Sequence, residues 1–140
     1  MHKMNTFTLI FLGGLLLVGL SGLRESFAAA DAGLTRSHSG GGVTVKVTYL
    51  NPESTDDARF QVALDTHSVN LDGYNLKDLS FLRDDTGQSY PPTQVENKGS
   101  GHHRELTLIF PKPSDRTKRF ELVIQDIAKV KERSFFWDLK

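Results

Sequence analysis

The chain has no cysteine among its 140 residues. That excludes a disulfide scaffold, a thiolate metal site, a cysteine nucleophile and a cysteine-linked lipid anchor. It also lacks an excess of either charge: 17 Lys and Arg stand against 17 Asp and Glu. Such a balance gives no electrostatic footing to a nucleic-acid partner. There are two methionines, Met1 and Met4, too few and too close to the start for a methionine-rich copper(I) carrier. No repeat period is visible, which argues against a solenoid or propeller. No G-x-S-x-G elbow is present, and Gly40-Gly41-Gly42 leads into a strand pattern rather than a helix, so it has no dipole to aim at a phosphate. What remains is 38% hydrophobic and 24% charged. That is an ordinary globular composition, which rules out whole-chain disorder. The length suits one domain, for which about 100–200 residues is usual.

Apolar residues run together only near the N-terminus. His2 and Lys3 are followed by Phe7, Leu9, Ile10, Phe11, Leu12 and then Leu15, Leu16, Leu17, Val18 and Leu20. The small residues Ala28, Ala29 and Ala30 come next. A charged start, an apolar stretch and a small-residue end form the pattern of a secretory signal peptide, expected over residues 1–30. The competing reading is an uncleaved anchor, since the run nears the lower limit of about 17 residues for a membrane span. Cleavage after Ala30 predicts a periplasmic or secreted protein with no stable membrane insertion. Without Lys3, Arg24 and Glu25, the 17 basic and 17 acidic side chains become 15 and 16, so the exported part stays near neutral. Without disulfides, its stability must come from packing.

The remainder reads as short strands. Residues 31–42 are polar and glycine-rich, a flexible lead-in or a first edge strand with a turn. Val43, Val45, Val47 and Tyr49 alternate with Thr44, Lys46 and Thr48, the period-two signature of a half-buried strand. Phe60, Val62 and Leu64 repeat it, as do Leu106, Leu108 and Phe110, then Phe120, Leu122 and Ile124, and finally Phe135, Trp137 and Leu139. Leu76 and Leu79 suggest a short helical turn, and Leu79 to Leu82 begins another strand. Pro91-Pro92 confines the short segment before it to an edge. Glu96 to Gly101 reads as a polar loop. Lys112, Arg116, Lys118 and Arg119, and likewise Lys129, Lys131 and Arg133, are interleaved with acids and read as solvated. The pattern predicts an all-β chain: an antiparallel β-sandwich of about seven strands over residues 43–140.

Three segments carry a resemblance: Leu64-Asp65-Thr66-His67-Ser68-Val69-Asn70-Leu71-Asp72-Gly73-Tyr74, Gly101-His102-His103-Arg104 and Phe136-Trp137-Asp138-Leu139. Over residues 42–139 the chain resembles a group of small exported bacterial proteins of unknown function. That resemblance implies an exported β-sandwich and no particular activity. The layout also resembles immunoglobulin-like domains appended to bacterial envelope proteins. The paired cysteines of antibody domains are missing, so nothing of antibody-like pairing carries over.

Candidate chemistry rests on a few polar residues. His67 with His102 or His103, and Asp65 or Asp72 nearby, could form a zinc or copper site, because imidazole with carboxylate suits either ion. Their spacing matches no ligand motif, and adjacent histidines in a strand would point to opposite faces. The alternative is that these side chains bond to loop backbone or across strands. Asp56-Asp57 and Asp84-Asp85 read as solvated turn acids. Tyr49 and Trp137 are in phase with the core, and Tyr74 suits a corner anchored through its hydroxyl. The sequence therefore predicts a non-catalytic, exported binding or structural module with no cofactor, whose partner is a protein or small ligand. A periplasmic metal-binding protein is the alternative.

Overall fold

A computed structural model describes residues 33–139; the expected signal segment lies outside the described residues. In chain order the elements are β1 (Thr35–Gly40), β2 (Val43–Tyr49), β3 (Asp57–Thr66), α1 (Leu76–Leu79), β4 (Ser80–Asp84), β5 (Ser89–Tyr90), β6 (Gln94–Ser100), β7 (His103–Pro111), β8 (Arg119–Ile127) and β9 (Val130–Asp138). They form two antiparallel sheets. One has five strands in the order β1-β2-β3-β7-β6, the other four in the order β5-β4-β8-β9.

The predicted all-β sandwich is the fold, with nine strands among the described residues instead of about seven. The alternating faces explain its core. Val43, Val45, Val47 and Tyr49 of β2, Phe60, Val62 and Leu64 of β3, and Leu106, Leu108 and Phe110 of β7 are buried against Leu82, Phe120, Leu122, Ile124, Phe135 and Trp137 of the other sheet. Burial of one such side chain contributes about 1.5–3 kcal/mol. Tyr49 stacks on Phe60 at 4.9 Å, and Phe60 meets Trp137 at 5.0 Å and Phe120 edge-on at 5.7 Å. These contacts tie the two sheets with geometry as well as area.

The two additional strands lie at edges. Residues 35–40 form β1, the edge strand paired with β2, so the sandwich begins at Thr35 and not at Val43. Glu96 to Gly101, expected as a polar loop, belongs mostly to β6, which pairs with β7 from Gln94↔Ile109 to Ser100↔His103. A strand with one covered edge needs no apolar alternation, and β6 has only Val95 partly buried. Its pairing comes from β7, not from its own composition.

Arg133 departs most from expectation. It is wholly buried in β9 rather than solvated. Its guanidinium donates to the carbonyl of Ile127 at 2.9 Å and to that of Gly40 at 2.7 Å. Burial without a carboxylate lowers its pKa. Arg133 thereby joins the β1–β2 turn to the β8–β9 turn. At the same junction Gly41 has φ +62, and a Cβ there would lie 1.8 Å from the carbonyl oxygen of Ala128. Only glycine allows that approach. Ala128 and Lys129, the two central residues between Ile127 and Val130, also have positive φ, 52° and 65°. That is the requirement of a type I′ hairpin, here met without asparagine or glycine. The Tyr74 hydroxyl accepts from the Ala128 amide at 3.0 Å, so Tyr74 anchors a corner as its position suggested.

Candidate functional site

The outward face of the five-stranded sheet follows directly from register. Thr44, Asp65 and His103 lie side by side on β2, β3 and β7. Lys46, Ala63 and Glu105 form the next row, and Thr48, Gln61 and Thr107 the one after. Neighbouring strands are about 4.8 Å apart. Ala63, the smallest side chain, thus sits at the centre of eight polar ones. The missing bulk leaves a depression of about 350 Å³ lined by Ser37, Thr44, Lys46, Ala63, Asp65, His103 and Glu105 among others. A smaller hollow of about 120 Å³ continues it past Thr48 and Gln61.

The charges around Ala63 are partly paired. Asp65 Oδ1 is 2.7 Å from His103 Nδ1, an exposed pair. Gln61 donates its side-chain amide to Glu105. Ser39 and Thr44 share a hydroxyl–hydroxyl bond of 2.8 Å at the rim. Among the described residues no hydrogen bond or ion pair holds the Lys46 ammonium, which faces Glu105 across the alanine. The arrangement can offer donors and acceptors from all sides to a ligand resting on a single methyl group.

The five residues expected as metal ligands are divided among different tasks. Asp65 and His103 meet as a cross-strand pair. His102 lies in the β6–β7 turn, and its Nδ1 is 3.1 Å from the Val69 carbonyl. Asp72 accepts from the Gly101 amide at 2.8 Å, which fastens the same turn to the segment after β3. His67 is exposed just past β3, and its ring has no hydrogen-bond partner among the described residues. Among those residues, no group of three or more His, Asp and Glu stands close enough to hold an ion. Arg104 completes this corner by donating to the carbonyls of Leu71 and Tyr74 at 3.0 and 2.5 Å and to Asn97 at 2.9 Å. These are the residues of two of the motifs that drew attention in the sequence, and here they hold loops in place.

Asp84 corrects another expectation. It is buried rather than a solvated turn acid. Oδ1 accepts from the Thr86 amide and hydroxyl and from the Gln88 amide at 2.6–3.0 Å, and Oδ2 accepts from the Tyr90 hydroxyl at 2.9 Å. The Thr86 hydroxyl is the main reason its pKa lies below the usual carboxylate value. Asp57 is likewise lowered, chiefly by Arg59, and Asp138 by Arg119. All three are explained by a turn or an ion pair. Sequence reasoning missed Ala63 because a lone small residue among polar ones carries no chemical signal until register gives it neighbours.

No family model matches the chain, and no curated protein does. Among solved structures it is similar to a DUF4426 family protein from Pseudomonas aeruginosa PAO1, at 14% identity over 74% of this chain and 93% of that one, with a TM-score of 0.44.

Proposed function

We propose that this protein is an exported, non-catalytic binding module. In this reading it uses the outer face of its five-stranded sheet to hold a small, neutral, polyhydroxylated ligand such as a saccharide unit. The observation that carries it is the ring of eight polar side chains around Ala63. Opposite charges face one another there, so no single sign is built up to hold an ion. Each ligand hydroxyl both donates and accepts, which suits Lys46 and the threonines on one side and Glu105, Asp65 and Gln61 on the other. A sugar's C–H face suits the alanine floor. Weak binding is expected, because no Phe, Tyr or Trp ring lies among the nine residues to stack on a ligand.

The wider reading draws on the strand order. With β1 set aside, β2-β3-β7-β6 against β5-β4-β8-β9 is the A-B-E-D against C′-C-F-G order of immunoglobulin domains. This supports an immunoglobulin-like module, as the sequence layout suggested. Export rests on the charged start, apolar run and alanines of residues 1–30. Mass spectrometry of the protein recovered from the producing cell should find Asp31 at its N-terminus.

Titration with maltotriose and with chitotriose, followed by ¹H–¹⁵N correlation spectra, tests the ligand. Amides of residues 44–48, 61–65 and 103–107 should shift at millimolar ligand, and Ala63→Leu should abolish the shifts without altering the fold. If neither sugar moves these amides, or if they move equally in Ala63→Leu, the saccharide reading fails. The metal alternative would have to be built on the Asp65–His103 pair. Calorimetry with Zn²⁺ and Cu²⁺ should give no heat, and micromolar binding lost in His103→Ala would replace the proposal with that alternative.

A further inference from the structure

The sandwich has two long open sides, and they are finished differently. On one, β1 and β9 are joined by side chains. On the other, β6 is a seven-residue edge strand with six of its residues exposed. The strand opposite it, β5, has two residues and is followed by Pro91-Pro92. An edge strand presents unpaired N–H and C=O groups and is a template for another strand. The sequence of β6, Gln94-Val95-Glu96-Asn97-Lys98-Gly99-Ser100, is complementary to itself when reversed. About a two-fold axis at Asn97, Glu96 of one copy stands opposite Lys98 of the other, and the same contact recurs by symmetry. Val95 then faces Gly99, and Gln94 faces Ser100.

From this we infer that β6 is a self-association edge, pairing antiparallel with β6 of a second copy and centred on Asn97, so that two five-stranded sheets join into one of ten. The inference stands apart from the saccharide reading. A two-fold contact is isologous, so a single self-complementary strand is enough to specify it. Opposite charges set directly across an antiparallel pair are stabilising, and like charges are not. The pairing works whichever set of β6 amides points outward. If Asn97 bonds its twin, Glu96 and Lys98 form the closer, non-bonded pairs; if it does not, they form the bonded ones. Gly99 has φ +83, outside the extended range, so the regular part of the contact is short. A single strand pair buries less than the roughly 1,200 Å² of a stable complex, and the dimer is therefore weak and concentration-dependent. Each copy brings its own Ala63 depression to the joined sheet, two strands in from the new seam.

Sedimentation equilibrium of the purified protein, from micromolar to millimolar, tests the charge pairing as well as the association. The wild type should move from monomer toward dimer. Glu96→Lys places lysine opposite lysine at both symmetric contacts, and Lys98→Glu places glutamate opposite glutamate. Each should weaken association about tenfold. An equimolar mixture of the two variants should associate as well as wild type, because every contact is then opposite in sign. The double variant Glu96→Lys/Lys98→Glu should also associate normally. Both side chains are exposed, but Lys98 stands opposite Glu105 of β7, so thermal melting should be unchanged in Glu96→Lys and slightly lowered wherever Lys98→Glu is present. A wild type that stays monomeric at millimolar concentration overturns the inference. So does a mixture that associates no better than either variant alone, because charge pairing along β6 predicts its recovery.

Discussion

The two sides of this sandwich solve the same problem in opposite ways. Between β1 and β9 the side chains reach across the gap. The Trp137 indole donates to the Leu34 carbonyl at 2.9 Å, Arg36 donates to the Phe136 carbonyl at 3.1 Å, and Arg133 donates to the Gly40 carbonyl at 2.7 Å. Arg36 also lies over the Trp137 ring. The carbonyls that an edge would offer a foreign strand are partly occupied by the protein itself. On the β6 side α1 lies against the strand and Arg104 donates to the Asn97 side chain, but among the described residues no side chain reaches a β6 backbone carbonyl, and the edge carries alternating charge instead. The difference teaches that an edge can be closed by the protein's own side chains or left with a pattern that selects its partner.

The largest way to break this comparison is to unpick the closed side. Arg133→Ala removes a wholly buried side chain and orphans two carbonyls. It should cost about 3 kcal/mol or more, measured by urea unfolding. Arg133→Met should cost less, because it fills the space and spares the desolvation of a buried cation. Equal losses in Met and Ala would show that the two carbonyl bonds, which both variants lack, carry the junction and not the volume. Gly41→Ala should cost at least about 2 kcal/mol, because φ +62 strains it and its Cβ would strike Ala128.

A middle-sized effect concerns acid. Asp84 has a folded pKa below its unfolded value, so its contribution is fully present above about pH 4 and is lost as pH falls through the folded pKa. Asp84→Asn should lower the melting temperature at neutral pH and flatten its fall below pH 4. If the variant falls as steeply as wild type there, Asp57 and Asp138 govern the acid limb instead. Smaller still, Trp137→Phe keeps the core ring and loses its bond to Leu34, the residue just before β1. It should cost about 1 kcal/mol and speed amide exchange in β1 but not in β6. The smallest expected effect is a gain. Lys129→Gly relieves a positive φ in an exposed turn and should stabilise by about 0.5–1 kcal/mol, net of the extra freedom of the unfolded chain.

The parts of the fold that could be read from sequence are those where one residue in two is apolar. β2, β3, β7 and β8 were visible because Val43 to Tyr49, Phe60 to Leu64, Leu106 to Phe110 and Phe120 to Ile124 alternate. β6 was not, because an exposed edge imposes no apolar period. The first half of β9 was hidden for a different reason: Lys131, Glu132 and Arg133 look solvated, and only Arg133 turns inward, toward the Ile127 carbonyl of its own hairpin and the Gly40 carbonyl of a distant turn. Asp84 looked like any turn acid because its four donors are recruited by the turn geometry. The candidate site was half visible. Asp65 and His103 were singled out, and register made them neighbours, but Ala63, Lys46 and Glu105 gained meaning only when the strands were laid side by side. His67, His102 and Asp72 drew attention as chemistry, yet His102 and Asp72 serve the loops that join β3, α1 and β7.

The most direct test of the closed and open sides is a dilution series of ¹H–¹⁵N correlation spectra on the wild-type protein. The account predicts that amides of Gln94 to Lys98 shift with concentration while those of β1 and β9 stay fixed. Shifts centred on β1 or β9, or none anywhere between micromolar and millimolar protein, would contradict it.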